Sequence, residues 1–211
     1  STNDDGSATD LSIKFKLDSN SRISLSNNDS GGTGGADSTS GNTLLGFLSG
    51  GSIASGGLNN TLLGHGAAYR LTTGDNNVCV GTNAGWGNHT GGNNTYIGRD
   101  AGLGSQDNAN SNNTGIGYES LKAVTTGSGN TALGMGSGDS ITDGHDNVII
   151  GVGAGNATTT VGNATIVGRK ACQGVMTADA DGTVAIGYEA LNVLTSGAHN
   201  VAVGYQSLHD V

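Results

Sequence analysis

Aliphatic side chains recur along this chain at one fixed place, immediately before a glycine. The glycines are Gly46, Gly64, Gly81, Gly98, Gly117, Gly134, Gly151, Gly168, Gly187 and Gly204, separated by 18, 17, 17, 19, 17, 17, 17, 19 and 17 residues. Taking each as offset 0, offset −1 holds Leu45, Leu63, Val80, Ile97, Ile116, Leu133, Ile150, Val167, Ile186 and Val203. Offset −3 holds Thr43, Thr61, Val78, Thr95, Thr114, Thr131, Val148, Thr165, Val184 and Val201, all β-branched. Side chains two apart share one face of a strand, and β-branched residues fit its pleat. The pattern therefore predicts a short strand over offsets −4 to −1 in every copy. It predicts the −1 and −3 side chains inward, with the ten aliphatics at −1 as the structural core.

The remaining offsets describe the rest of a coil. Offset −4 is Asn in eight copies, with Ala164 and Thr183 as exceptions. Stacked Asn predicts an amide ladder along the stack. Offset +3 is always Ser or Ala, from Ser49 and Ala67 to Ala190 and Ser207. Small residues there imply a close backbone, either at a tight corner of the same coil or in another chain. Gly57, Gly74, Gly91, Gly127, Gly144 and Gly197 at offset −7 predict a second corner with positive φ. The two 19-residue copies carry two extra residues before the strand, expected to bulge without disturbing the stack. The expected fold is all-β: a parallel β-solenoid or β-roll of about ten 17–19-residue coils, each with two corners and two short strands. At about 4.8 Å per coil the rod is roughly 48 Å long. One such repeat cannot bury its own apolar face, so coils stack and chains associate.

Composition agrees. The chain has 40 Gly, no Pro, 4% aromatics and 12% charged residues, too few large side chains for a conventional globular core. The net charge of −9 argues against nucleic-acid binding, which needs clustered Lys and Arg. No apolar run approaches the roughly 20 residues that span a bilayer, so membrane insertion is not expected.

Three segments follow. Residues 1–30 hold an alternating stretch, Leu11, Ile13, Phe15 and Leu17 with polar residues between, then a turn and a second short strand over 22–25. This segment reads either as a cap on the first coil or as an assembly strand donated to a neighbouring subunit. Residues 31–41 form a Gly/Ser-rich joint, and residues 42–211 the solenoid.

Reactive chemistry is sparse. Cys79 and Cys172 lie five copies apart, roughly 24 Å at the coil rise, against about 7 Å for a disulfide. They read as free thiols. The five His residues fall in different copies without ligand spacing, and Asp75, Asp143 and Asp146 read as solvated corner residues. Glu119 and Glu189 share offset +2 but stand four copies apart, too far for an acid pair. No catalytic residue, metal or cofactor is expected, and the chain does not read as an enzyme. Phe47, Tyr118, Tyr188 and Tyr205 share offset +1, where a stacked row would contact sugar rings or cover a corner. An ice-binding solenoid would need outward Thr ladders, whereas Thr at −3 reads inward.

The unit Asn200-Val201-Ala202-Val203-Gly204-Tyr205-Gln206-Ser207-Leu208 resembles the head repeat of YadA-like trimeric autotransporter adhesins, as do 183–191 and 130–134. That family's repeat reads Asn-Ser-Val-Ala-Ile-Gly and forms a left-handed parallel β-roll trimerised side by side. The copies here are longer. Residues 113–127, and the lead-in at 21–31, are also similar to tandem arrays in bacteriophage tail fibres. The resemblance spans roughly residues 42–208. It implies an extracellular or virion-borne homotrimeric fibre, a phage tail fibre or adhesin shaft, that meets a host-surface glycan or protein receptor. A subunit of an extracellular filament, joined head to tail by the N-terminal strand, is the alternative.

Overall fold

The computed structural model describes residues 16–17, 23–24, 41–53, 56–106 and 108–210. Two short strands, β1 (Lys16–Leu17) and β2 (Ile23–Ser24), pair antiparallel, with Leu17 opposite Ile23. Of the proposed assembly strand, Leu11, Ile13 and Phe15 lie outside the described residues.

Ten three-residue strands then form one parallel sheet in chain order: β3 (Thr43–Leu45), β4 (Thr61–Leu63), β5 (Val78–Val80), β6 (Thr95–Ile97), β7 (Thr114–Ile116), β8 (Thr131–Leu133), β9 (Val148–Ile150), β10 (Thr165–Val167), β11 (Val184–Ile186) and β12 (Val201–Val203). Each is offset −3 to −1 of one copy, so the fold is the expected all-β parallel solenoid with equal offsets in register. The register survives both 19-residue copies: Thr95 faces Thr114, and Thr165 faces Val184. In the second of these, a single 3₁₀ turn at Ala178–Ala180 falls within the longer connection.

Each coil has one strand, not two. The other residues run through turns that are hydrogen-bonded from coil to coil, as in Asn83 N–H to His65 O (2.9 Å), Ala68 N–H to Ala84 O (2.8 Å) and Thr72 N–H to His89 O (2.8 Å). These turns place offsets +2 and +4 at positive φ in all ten coils, including Glu119, Lys170, Leu121 and Leu191. Side chains rarely adopt that conformation alone. Here stacked neighbours hold it, and at +4 they bury Leu121 and Leu191.

The facing of the strands is the reverse of the expectation. None of the twenty residues at −1 and −3 is buried, while offset −2 is buried in nine coils and half-buried at Leu44. Thus Leu45, Leu63, Val80, Ile97, Ile116, Leu133, Ile150, Val167, Ile186 and Val203 line the outer surface of the sheet and are not the core of the coil. The core comprises Leu62, Tyr96, Ile149 and Ile166 at −2, with Leu71, Val124 and Ile141 at +7 packed behind them. Parity fixes this outcome: once −2 points inward, −1 and −3 point out.

The interior column escapes a periodicity search because it is a jigsaw. Offset −2 runs Leu, Leu, Cys, Tyr, Gly, Ala, Ile, Ile, Ala, Ala. Sizes vary along the column, and around Tyr96 the largest residue is balanced by a glycine in the adjacent coil. Tyr96 fills space left by Gly115, where a Cβ would meet the Tyr96 ring at 3.0 Å, and by Gly102, whose Cβ would strike the same ring. The Tyr96 hydroxyl donates to Asn110 Oδ1 at 2.7 Å. Asn110 stands at offset −7, where six copies have Gly.

The small residues at +3 are buried inside the chain in all eight inner coils, which identifies the tight-corner reading as correct. Of the offset −7 glycines, only Gly197 has the expected positive φ. The others are small for another reason: a Cβ at Gly127 would lie 2.6 Å from Gly144 O, and one at Gly144 2.5 Å from Val161 O.

The Asn ladder forms as expected. From Asn42 through Asn60, Asn77, Asn94, Asn113 and Asn130 to Asn147, each Oδ1 accepts from the backbone N–H and Nδ2 of the next Asn. Each Nδ2 also donates to a carbonyl of the following coil, as Asn113 does to Gly127 O at 2.9 Å. The ladder ends without orphaning its last member. Ala164 N–H donates to Asn147 Oδ1, and Thr183 Oγ1 takes the Ala180 carbonyl in place of an amide. Asn113→Ala should lower stability by about 3 kcal/mol, because it strands buried donors on Asn130 and an acceptor on Gly127. Asn93→Gly, at an exposed corner with φ 60°, is the matched control and should change little. Thermal unfolding followed by circular dichroism separates the two; equal melting points would show that the ladder contributes nothing.

Candidate functional site

The outward rows make the molecule's most regular surface. Offset −3 presents six Thr and four Val, offset −1 ten Leu, Ile and Val, and neither row holds a charge. Exposure is 58% at Leu45, 46% at Leu133, and 65% at both Val201 and Val203. Ten strands spaced about 4.8 Å apart make the face roughly 43 Å long and about 10 Å across, several hundred Å² of apolar surface. Monomeric proteins rarely leave such a patch open unless it meets something.

Offset +1 borders this face. Phe47 stacks on His65 (centroids 5.7 Å apart) and Tyr188 on Tyr205 (5.2 Å), while Arg99 lies over Tyr118 and Arg169 over Tyr188 at 5.1 and 5.7 Å. The rings turn their faces toward adjacent coils, along the rod. Stacking covers the inner members of each pair, whereas Phe47 and Tyr205 at the two ends of the row stay 71% and 74% exposed.

The two glutamates are used structurally. Glu119 is bonded to Lys122 Nζ at 2.8 Å and Glu189 to Gln206 Nε2 at 2.9 Å, and these hydrogen bonds hold both carboxyls below the usual carboxylate range. Cys79 and Cys172 are free and buried, and burial pushes both thiols up to about 12. They are unionised at neutral pH and poor nucleophiles. Among the described residues, no group of three His, Cys, Asp or Glu is placed to hold a metal ion, and no helix is long and apolar enough to cross a membrane.

The structure thus unites the ten −1 residues in one row, on the opposite side of the strand from that expected. A signal for this was present: a row that is uniformly aliphatic over ten copies repeats more strictly than a jigsaw interior needs. Compared with known proteins, the chain matches no family model, no curated protein and no solved structure.

Proposed function

We propose that this chain is a structural segment of an extracellular fibre, a phage tail fibre or surface-adhesin shaft, in which copies associate side by side through the outer face of the sheet. The observation that carries this reading is the charge-free double row at −1 and −3, exposed or half-buried in every strand of the ten-strand sheet. Burying one aliphatic side chain contributes about 1.5–3 kcal/mol, so ten in register outweigh the cost of bringing chains together. The short-motif likeness to trimeric adhesin heads and tail-fibre arrays supports three chains. Sedimentation equilibrium tests it. The parent should have three times the chain mass, and Ile97→Lys with Leu133→Lys should sediment as a monomer with an unchanged circular-dichroism spectrum. A parent that stays monomeric at high micromolar concentration contradicts the proposal.

The outward Thr row gives one specific reason for a second reading, an ice-binding face. The inward placement that spoke against it does not hold. The adjoining row of bulky Leu and Ile favours packing against protein, and measurable thermal hysteresis would reverse that preference. The head-to-tail filament rests on a strand of which only Lys16 and Leu17 are among the described residues, and long fibres in electron micrographs would favour it over discrete rods.

A further inference from the structure

Offset +5 brings three large side chains together on the turn side of consecutive coils: Tyr69, Trp86 and Leu103. Trp86 is the only tryptophan in the chain and is half-buried. One of its faces is occupied from the preceding coil, with the Tyr69 ring at 6.1 Å and 22° and the Arg70 guanidinium 5.5 Å from the ring centre. On its other side the following coil presents Leu103, smaller than a ring, and the backbone of Gly104. A hollow of about 220 Å³ results, lined by Asn83, Trp86, Leu103 and Gly104. This is below the roughly 300–1,000 Å³ of pockets for drug-sized ligands and suits a single small ring.

We infer that this hollow is a binding site for one pyranose ring of a glycan, with the sugar's C–H face laid on Trp86. The chemistry of the lining selects that class. An aromatic floor with an aliphatic wall fits a flat, C–H-bearing face. The one side-chain amide on the rim is held in place: Asn83 Nδ2 donates to Asp100 Oδ1 at 3.0 Å, which leaves its second N–H to orient a hydroxyl. A cationic guest is disfavoured, because Arg70 already sits against the Trp86 ring and Arg99 Nε already bonds Asp100 Oδ2 at 2.8 Å. An anionic guest meets the Asp100 carboxylate, which already holds Asn83 and Arg99. The neutral polyhydroxylated ring remains. The inference adds a partner class to the fibre reading but rests on different residues, away from the sheet face, so either can fail without the other.

The test uses the full chain and the methyl pyranosides of glucose, galactose, mannose and N-acetylglucosamine, with sorbitol as an acyclic polyol control. Trp86 fluorescence should change saturably with at least one pyranoside, with a Kd in the millimolar range expected for a single small ring, and not with sorbitol. Leu103→Phe, which fills the hollow from a half-buried surface position, should abolish the change while the melting point holds. Trp86→Ala, read by saturation-transfer NMR, should weaken binding at least about tenfold. No response to any pyranoside up to roughly 100 mM, an equal response to sorbitol, or full binding by Leu103→Phe would overturn the site. Sedimentation of the same samples reports self-association separately.

Discussion

Asp in place of Ile149 is expected to abolish cooperative folding, while Asp in place of its neighbour Ile150 is expected to leave the solenoid standing and disperse its assemblies. Ile149 is fully buried in β9, and its methyl groups meet those of the inner column: Cβ atoms built at Gly138 and Gly155 would lie 3.1 and 3.5 Å from Ile149 side-chain carbons. A carboxylate there loses the packing of a buried isoleucine and is desolvated without a partner. The two effects exceed about 5 kcal/mol, a large share of the stability of a typical domain. Ile150 lies half-exposed on the outer face, where a carboxylate keeps its water. Its cost in the isolated chain is within about 1 kcal/mol, but in a packed interface the same charge is unpaired. Circular-dichroism melts report the first effect and sedimentation the second. The reverse pattern would restore the inward assignment of the −1 row.

Gly117→Ala should be nearly as damaging, through the backbone. All ten marker glycines adopt φ between 131° and 139°, a region closed to side-chain-bearing residues. At Gly117 a Cβ would lie 2.5 Å from Gly134 O and 2.6 Å from Gly134 C, and neither backbone atom can withdraw without opening the coil-to-coil ladder. Dihedral strain and overlap together predict a loss of about 4 kcal/mol. Gly204 separates the two terms. Its φ is 136°, yet the nearest atom to its Cβ would be Ser207 Cβ at 3.8 Å. Gly204→Ala should therefore carry only the dihedral part, about 1–2 kcal/mol. Equal melting points for the two variants would show that coil-to-coil contact is not what demands glycine.

Much of the fold was legible because it repeats. The marker glycine gave the coil length, the Asn at −4 gave the ladder, and the 19-residue copies were expected to bulge and do so without shifting the strand register. The facing was not legible, for a physical reason. Uniformity at −1 and −3 resembled a core, but a core two side chains thick is filled by complementary sizes, as Tyr96 against Gly102 and Gly115 shows. Uniform rows are what a repeating outer surface needs. The turns were hidden differently. Their positive φ falls on Glu119, Lys170 and Leu191 as well as on glycine, so no local composition marks them. The Trp86 hollow had one faint signal, two aromatics at offset +5 in successive copies.

The same reversal links fold to assembly. An inward −1 row would have left the sheet's outer face to the mixed −2 residues, with no reason to associate. With −2 inside, the chain completes its own core with side chains from glycine to Tyr96 and turns its regular aliphatic rows outward. The stacked borders at offset +1, Arg99 over Tyr118 and Arg169 over Tyr188, then flank a long charge-free strip. Obligate homo-oligomers resemble a core divided between subunits, and this face has that composition.

Electron cryomicroscopy of the full chain at high protein concentration probes the arrangement most directly. Rods of three chains are expected, whose Leu133, Ile150 and Val167 side chains meet those of neighbouring copies across a dry seam, with Ile149 enclosed in each coil. Single rods with that face open to solvent, or an assembly joined through any other surface, would contradict this arrangement.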